Sequence, residues 1–454
     1  MNETGKLDRG LGLVEATALN ITFMVGIGPF VVIPYVVKAM GGPQCLIAWV
    51  IGAALAVFDG CIWAELGAAL PEAGGSYVFL REAYGPGRWG RLMSFLFIWQ
   101  TLFQGPLSIA SGALGFAHYS AYLFNNSNGL LEGNLEKAVA GGIVAFSVLL
   151  LYRRIATVGK ISVVLCVIVI ATILWVIYGG VLRFRADVLL SFPPHAWDFS
   201  WVFFAGLGHA TVQSVYSYLG YYNVCNLGGE MKQPERNIPR AIFLSILGVA
   251  ILYFAMQACI LSVVPWQEAA QTKAVASLFI ARIFGPGWAR IATALILVTA
   301  FGSIFSAILG YSRIPYAAAS DGNFISVFAR IHPTKHFPHV SLVALGATAI
   351  LFCLSLSLMD VIRAILAMRC LIQFIGQGAG LILLRRRVGV ERFPFRMWLY
   401  PVPVIIALTG WAAIFLSTGR TPMLASLSAM TAGILVYLAR ARMIRQWPFQ
   451  PIEV

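Results

Sequence analysis

Apolar segments of about 20 residues recur along the whole chain, and they constrain the fold more than any other feature. The sequence is 59% hydrophobic and only 11% charged, whereas soluble domains carry roughly 25% charged residues. A helix of about 20 apolar residues crosses the ~30 Å hydrocarbon core of a bilayer. The predicted spans are 11–38, 45–69, 92–118, 137–152, 157–180, 199–225, 240–264, 288–316, 340–358, 361–384, 398–417 and 421–439. The sequence therefore predicts an all-α polytopic membrane protein with twelve transmembrane helices.

The distribution of basic residues predicts the orientation of these spans. An even number of spans places both termini on one side of the membrane. If that side is the cytoplasm, most lysine and arginine residues fall in cytoplasmic loops, as the positive-inside rule requires. We therefore expect cytoplasmic tails at 1–10 and 441–454 and a location in the plasma (inner) membrane. The net charge of +14 would then lie beside anionic lipids, so no nucleic-acid partner is expected.

The first apolar segment is interrupted at residues 24–30, which read MVGIGPF. Glycine costs a helix about 1 kcal/mol per residue and proline about 3 kcal/mol, so we predict that the helix breaks there. Unpaired backbone groups inside a bilayer are tolerated only where protein or a water-filled cavity surrounds them. The break therefore predicts a binding site.

A second irregular segment covers residues 203–226. It combines glycines and polar side chains with four tyrosines, and Gly220 lies among them. Tyrosine has an apolar ring and a polar tip, so such a segment can close over a small ligand while hydrogen-bonding it. A tyrosine-rich helix end could instead form an interfacial belt. The position of Gly220 favours the ligand site.

Among the ionisable residues inside predicted spans, three are considered for a function, because such residues are costly at membrane depth; they are Asp59, Lys160 and Arg369. Asp59 is either a proton site or partner of a cation, or a structural hydrogen-bond anchor. Lys160 is either a proton carrier or tether for exposed carbonyl groups, or an interfacial lysine whose amine reaches the membrane surface. Arg369 could reach the outer vestibule or anchor neighbouring helices. These alternatives stay open at the level of the residues alone.

Spans 1–5 and spans 6–10 have similar lengths, and an interrupted segment heads each half. This pattern is typical of inverted-repeat transporters with a site at the membrane midplane. It predicts a first repeat at 11–180, a second at 198–385 and two further helices at 398–440. The seven cysteines and six histidines form no pattern typical of a disulfide framework, a metal site or a catalytic cluster. No cofactor, metal ion or enzymatic activity is therefore expected.

Several motifs, taken together and in order, resemble those of the amino acid, polyamine and organocation (APC) transporter superfamily. The similarity extends from about residue 11 to residue 440. The motifs are Ala64-Glu65-Leu66-Gly67 followed by Pro71 and Gly74-Gly75-Ser76-Tyr77, Gly229-Glu230 followed by Pro234 and Arg236-Asn237-Ile238-Pro239-Arg240, and Pro394-Phe395-Arg396 followed by Tyr400-Pro401.

The resemblance implies a LeuT-like five-plus-five inverted repeat in which broken helices 1 and 6 hold the substrate. Free N–H groups in the first break would face a substrate carboxylate, Tyr216 would be the aromatic gate, and carbonyl groups of the second break would receive the substrate amine. It also makes Lys160 a coupling residue rather than an interfacial lysine. The implied substrate-binding residues are Gly26, Ile27, Gly28, Tyr216, Ser217, Leu219 and Asn223, and the coupling or proton residues are Lys160 and Asp59.

The chain departs from the Gly-Ser-Gly-Ile-Phe pattern common in amino acid transporters of the superfamily. Ile27 replaces the serine hydroxyl, and Pro29 removes one backbone N–H. The leading hypothesis is an amino acid transporter that works by alternating access with proton symport or exchange. The Gly-Pro-Phe break and Asp59 are similar to polyamine and cationic transporters, so a polyamine or organic cation is the alternative substrate. A non-transporting sensor or a membrane enzyme is the third alternative.

Overall fold

A computed structural model describes residues 9–120, 123, 133–272, 274–355 and 365–449. These residues form helices and loops, and within them the only β-type pairings are two isolated bridges, Leu11 with Met231 and Ala73 with Leu227. The helices are α1 (Leu13–Met24), α2 (Gly28–Val31), α3 (Ile33–Met40), α4 (Leu46–Ala69), α5 (Ser76–Ala83), α6 (Trp89–Ser120), α7 (Gly133–Leu151), α8 (Ile155–Leu182), α9 (Ala186–Leu189), α10 (Trp201–Tyr218), α11 (Asn223–Asn226), α12 (Pro234–Val263), α13 (Trp266–Ala269), α14 (Val275–Phe284), α15 (Pro286–Tyr311), α16 (Arg313–Ser320), α17 (His339–Ser355), α18 (Ile365–Val388), α19 (Val402–Ser417) and α20 (Arg420–Met443).

Nine helical segments in the described ranges are long and apolar enough to cross a membrane. They are Leu13–Val31, Pro43–Ala69, Trp89–Ser120, Asn134–Leu151, Ile155–Leu182, Pro234–Val263, Pro286–Ser320, Ile365–Val388 and Arg420–Met443. They confirm the predicted all-α polytopic membrane protein.

The other three predicted spans, 199–225, 340–358 and 398–417, fall on α10, α17 and α19. Of these helices, α17 and α19 are apolar but shorter than 18 residues, and α10 ends well before residue 225. The boundary predicted between the spans 340–358 and 361–384 lies outside the described residues. The count of twelve spans stays a prediction.

The predicted interruption of the first span is confirmed. Helix α1 ends at Met24, and α2 begins only at Gly28. The N–H group of Val25 still makes the helical hydrogen bond to the carbonyl oxygen of Ile21, at 2.7 Å. The N–H group of Gly26 instead donates to the carbonyl oxygen of Met24, only two residues back, at 3.1 Å, so the chain leaves the helical path there. Since Pro29 has no N–H, it fits the first turn of α2 and could not have continued α1.

The second irregular segment is also interrupted. Helix α10 ends at Tyr218, and Gly220 has a φ of +130°, a conformation that a side chain disfavours. A Cβ built on Gly220 would lie 3.0 Å from the backbone nitrogen of Met24. Glycine therefore lets the end of α10 touch the end of α1, and the two breaks meet.

Close packing of α4 against α12 supports this junction. A Cβ on Gly60 would lie 2.6 Å from Ile246, and one on Gly67 would lie 2.8 Å from Ile238, so these glycines allow the two helices to approach closely. Near the start of α4, the buried ring of Trp49 packs edge-on against Tyr253 of α12, with ring centroids 5.6 Å apart. The core of the protein thus lies directly behind the breaks.

Ion pairs and backbone contacts join the loops at one end of the helices. The Leu11 N–H donates to the carbonyl oxygen of Glu230 at 3.1 Å, and the Glu230 carboxylate pairs with Arg313 at 2.9 Å. The Glu65 carboxylate at the end of α4 pairs with Arg385 at 2.5 Å. These contacts hold the ends of α1, α4, α15 and α18 near the start of α12.

Candidate functional site

A small, partly open cavity lies where the two breaks meet. Its lining residues come from the breaks and from α6, α15 and α18. They are Phe23, Met24, Gly26, Ile27, Gly28, Ser108, Ser111, Gly112, Tyr216, Ser217, Leu219, Ser303, Ile365 and Arg369. The structure therefore brings together six of the seven substrate-binding residues predicted from the sequence, all except Asn223.

The first break presents backbone donors at this cavity. The N–H groups of Ile27 and Gly28 have no hydrogen-bond partner among the described residues. Both residues line the cavity. Because buried N–H groups are almost always paired in native proteins, these two are available to a bound acceptor such as a carboxylate.

The second break contributes a tyrosine ring and carbonyl groups. The hydroxyl oxygen of Tyr216 lies 3.1 Å from that of Ser111, which fixes the ring across the cavity from α10 to α6. The hydroxyl group of Tyr253 donates at 2.8 Å to the carbonyl oxygen of Met24 and lies 3.3 Å from that of Ser217. One buried hydroxyl group thus ties the end of α1 to the end of α10.

Small residues shape the cavity around Ile27 and Gly28. A Cβ on Gly115 would lie only 2.6 Å from Cγ2 of Ile27, so α6 leaves a hollow for that side chain. A Cβ on Gly28 would lie 3.3 Å from Cε1 of Tyr216. The isoleucine therefore packs beside α6, and the glycine leaves room for a ligand beside the tyrosine ring.

Asn223 lies behind the cavity rather than in its lining. Its Nδ2 donates to the carbonyl oxygen of Ser306 at 3.0 Å, and its Oδ1 has no partner among the described residues. A Cβ on Gly310 would lie 1.8 Å from that Oδ1, so the amide fills the space that the glycine leaves in α15. The substrate-binding role of Asn223 stays a prediction.

Asp59 is buried in α4 and also lies outside the cavity lining. Its carboxylate accepts a hydrogen bond from the Tyr221 hydroxyl at 2.5 Å and one from Nε1 of Trp411 at 3.0 Å. Tyr221 belongs to the second break, one residue after Gly220. Asp59 is therefore connected to the break but not to the cavity, and its proton role stays a prediction.

Lys160 is exposed on α8 and is not among the residues that line the cavity. A Cβ on the preceding residue, Gly159, would contact Leu11 and Glu15, so Gly159 faces α1. The partial burial on which the proton-carrier interpretation rests is absent. The coupling role implied by the resemblance stays a prediction.

Arg369 was not among the predicted site residues, yet it lines the cavity and is only 2% exposed. Its guanidinium group donates to the hydroxyl groups of Tyr222 and Tyr311, and to Ser108 Oγ at 2.6 Å. The sequence alone could have identified Arg369 as a candidate, since an arginine inside an apolar span is a functional-site hypothesis by default. Only the fold reveals that α18 carries it to the two breaks.

Comparisons with known proteins agree with this architecture. The amino acid permease family matches residues 11–439. The serine/threonine exchanger SteT of Bacillus subtilis (strain 168) is 26% identical over 96% of this chain and 97% of its own length. The cystine/glutamate transporter of Homo sapiens is 25% identical over 92% of this chain and 82% of its own length.

The cationic amino acid transporter 4 of Mus musculus is 27% identical over 82% of this chain. The chain spans only 58% of the length of that relative. The match to the family, in contrast, covers nearly the whole chain, from two residues before α1 to the last turns of α20. The chain therefore belongs to the amino acid permease family.

Proposed function

We propose that this protein is a secondary transporter that moves amino acids across the membrane by alternating access. The observation that carries the proposal is the cavity at the meeting point of two helix breaks, in a chain of the amino acid permease family. Backbone left unpaired by a break is tolerated at membrane depth where it lines a binding cavity. Substrate binding would supply the partners that these backbone groups lack.

The two ends of an amino acid fit the two breaks. The substrate carboxylate accepts hydrogen bonds from the N–H groups of Ile27 and Gly28, which have no other partner among the described residues. The substrate amine donates to carbonyl oxygens near Ser217 and Leu219, which line the same cavity. Tyr216 covers the substrate while its hydroxyl stays beside Ser111.

The proposed architecture has twelve spans in a LeuT-like inverted repeat. Residues 11–180 form the first repeat, residues 198–385 the second, and residues 398–440 two further helices. The breaks after α1 and α10 support this division, because each occurs in the first span of its half. Basic residues such as those at 385–387 favour cytoplasmic termini.

Proton symport or exchange is the proposed energy source. A change in the protonation of Asp59 would act directly on the second break, because its carboxylate accepts a hydrogen bond from Tyr221, a residue of that break. Lys160 lies on α8, and its neighbour Gly159 faces α1. A change in the charge of Lys160 would therefore act on α1 through the contact between these two helices. The serine/threonine exchanger among the relatives favours exchange.

Among the described residues that line the cavity there is no carboxylate that would favour a polyamine or organic cation. Asp59, the acidic residue that suggested such a substrate, is outside the cavity lining. The charged side chain that does line it, Arg369, is cationic and would repel a second cation. We therefore propose amino acids alone as substrates.

Uptake into reconstituted vesicles tests the proposal. Vesicles that contain the purified protein would be loaded with unlabelled amino acid. Counterflow of labelled serine, leucine, glutamate, lysine and putrescine would then be measured. Gly28→Leu should abolish uptake because the new side chain fills the cavity beside Tyr216, whereas Gly248→Leu is the matched control, since a Cβ there meets no atom within 4 Å. Absence of amino acid counterflow by folded protein would refute the proposal.

A further inference from the structure

The guanidinium group of Arg369 is a buried positive charge without a carboxylate partner among the described residues. Its three hydrogen-bond acceptors are the hydroxyl groups of Ser108, Tyr222 and Tyr311. All of them are neutral. Its Nε has no hydrogen-bond partner in the described part of the chain.

The buried carboxylates of the described ranges already have ion-pair or hydrogen-bond partners of their own. Glu65 pairs with Arg385 and Glu230 pairs with Arg313. The two oxygens of Asp59 each accept a hydrogen bond, from Tyr221 and from Trp411. None of these groups neutralises Arg369.

An uncompensated buried charge is strongly unfavourable, because it has lost its hydration and gained no counter-charge. The helix that carries Arg369 also changes form at that point, since residues Cys370–Gly376 form a π-helical turn. Such turns inside α-helices are frequent at functional sites. The π-helical turn and the lack of a counter-charge among the described residues both indicate that the guanidinium group receives an anionic ligand rather than acting as a structural anchor.

We infer that Arg369 determines substrate specificity by pairing with an anionic side chain, so that the preferred substrates are acidic amino acids with a side-chain carboxylate. This inference rests on the proposed transport function. The α-carboxylate has its own donors in the N–H groups of Ile27 and Gly28, which belong to a different segment of the cavity wall. A second anion-binding group in the same cavity fits a substrate with two carboxylates. A lysine side chain there would meet the like charge of Arg369.

Glutamate and glutamine are the matched substrates for the test, since they have the same shape and differ in one charge. Binding would be measured as ligand-induced stabilisation of the purified protein, and transport as counterflow into vesicles. The variants are R369Q, which removes the positive charge, and R369K, which keeps the charge but loses the planar guanidinium group that can donate two parallel hydrogen bonds to a carboxylate. R185Q is the control, because Arg185 is an exposed arginine that pairs only with exposed Asp187.

The wild-type protein should prefer glutamate over glutamine in both measurements. A hydrogen bond to a charged group is worth enough that R369Q should weaken glutamate uptake about 10- to 100-fold, with glutamine uptake kept. R369K should show an intermediate loss, and R185Q none.

Two results would overturn the inference while leaving the transport function intact. One is equal or better uptake of glutamine by the wild-type protein, a result that needs no variant. The other is an equal loss of both substrates in R369Q, which would assign the arginine to the α-carboxylate. Failure of every amino acid to bind or move would instead refute the transport function together with the inference.

Discussion

Removal of the carboxylate of Glu230 should strongly destabilise the protein. Glu230 and Arg313 form a two-pronged ion pair, with both nitrogen–oxygen distances at 2.9 Å. Their side chains are 0% and 2% exposed. The remaining guanidinium nitrogen of Arg313 donates to the carbonyl oxygen of Leu309 at 3.1 Å and to Ser312 Oγ at 2.9 Å. The arginine is thus held in place and cannot turn towards water when its partner is lost.

The expected magnitude follows from the burial of both charges. Loss of one partner of a buried ion pair costs about 3–5 kcal/mol, because the other charge stays buried without compensation. We expect E230Q to lower the free energy of unfolding by about 3 kcal/mol, the lower end of that range, since the amide oxygen still accepts one hydrogen bond. The double variant E230M/R313M removes both charges and should be more stable than E230Q, because it buries none unpaired.

Thermal unfolding in detergent and titration with sodium dodecyl sulfate would measure these changes. D187N is the matched control, because Asp187 belongs to an ion pair whose two side chains are 64% and 67% exposed, and water screens such a pair. Its midpoint should equal that of the wild-type protein. The reasoning is refuted if E230Q behaves like D187N, or if the double variant is no more stable than E230Q.

Three further substitutions probe the site and its coupling. Gly26→Ala places a Cβ 2.6 Å from Oγ of Ser303. The resulting overpacking, which costs about 1–3 kcal/mol, should raise the substrate concentration for half-maximal uptake. Gly142→Ala is the control and should not change this concentration, because a Cβ there meets no atom within 4 Å. Lys160→Ala should abolish uptake or uncouple it from the pH gradient with normal yield of folded protein, and unchanged pH-dependent uptake would exclude Lys160 from coupling. Asp59→Asn should flatten the pH dependence of uptake while keeping substrate binding, as measured by thermal shift; an unaltered pH profile would exclude its proton role.

The position of the first break, and the presence of an irregular segment at 203–226, could be predicted from the sequence because local chemistry determines them. Glycine and proline weaken a helix wherever they occur, so Gly26, Gly28 and Pro29 were sufficient to predict the end of α1. Gly220 similarly marks the end of α10. Their meeting in one cavity was predicted only through the resemblance to a family, because it depends on a close approach between segments about 190 residues apart in sequence.

The surroundings of single polar residues were less predictable. Asn20 illustrates the reason: its side chain donates to the carbonyl oxygen of Tyr221 at 2.6 Å and accepts from the N–H of Val224 at 2.9 Å, which stabilises the second break from α1. Nothing in the sequence near Asn20 indicates these partners. Lys160 shows the converse, since α8 is apolar all round its axis and the sequence does not indicate which face is covered by other helices.

Arg369 combines both difficulties, and its case shows what the fold adds. The sequence placed an arginine deep in a span and left two interpretations open, a vestibule residue or an interhelical anchor. Its three partners come from α6, from the second break and from the end of α15. Because these segments are far apart in sequence, none of them by itself indicates that a pocket forms around Arg369. An anchor would be expected to have its charge neutralised within the protein, yet all three partners are neutral hydroxyl groups. The structure therefore favours a third interpretation, in which the missing counter-charge belongs to the substrate.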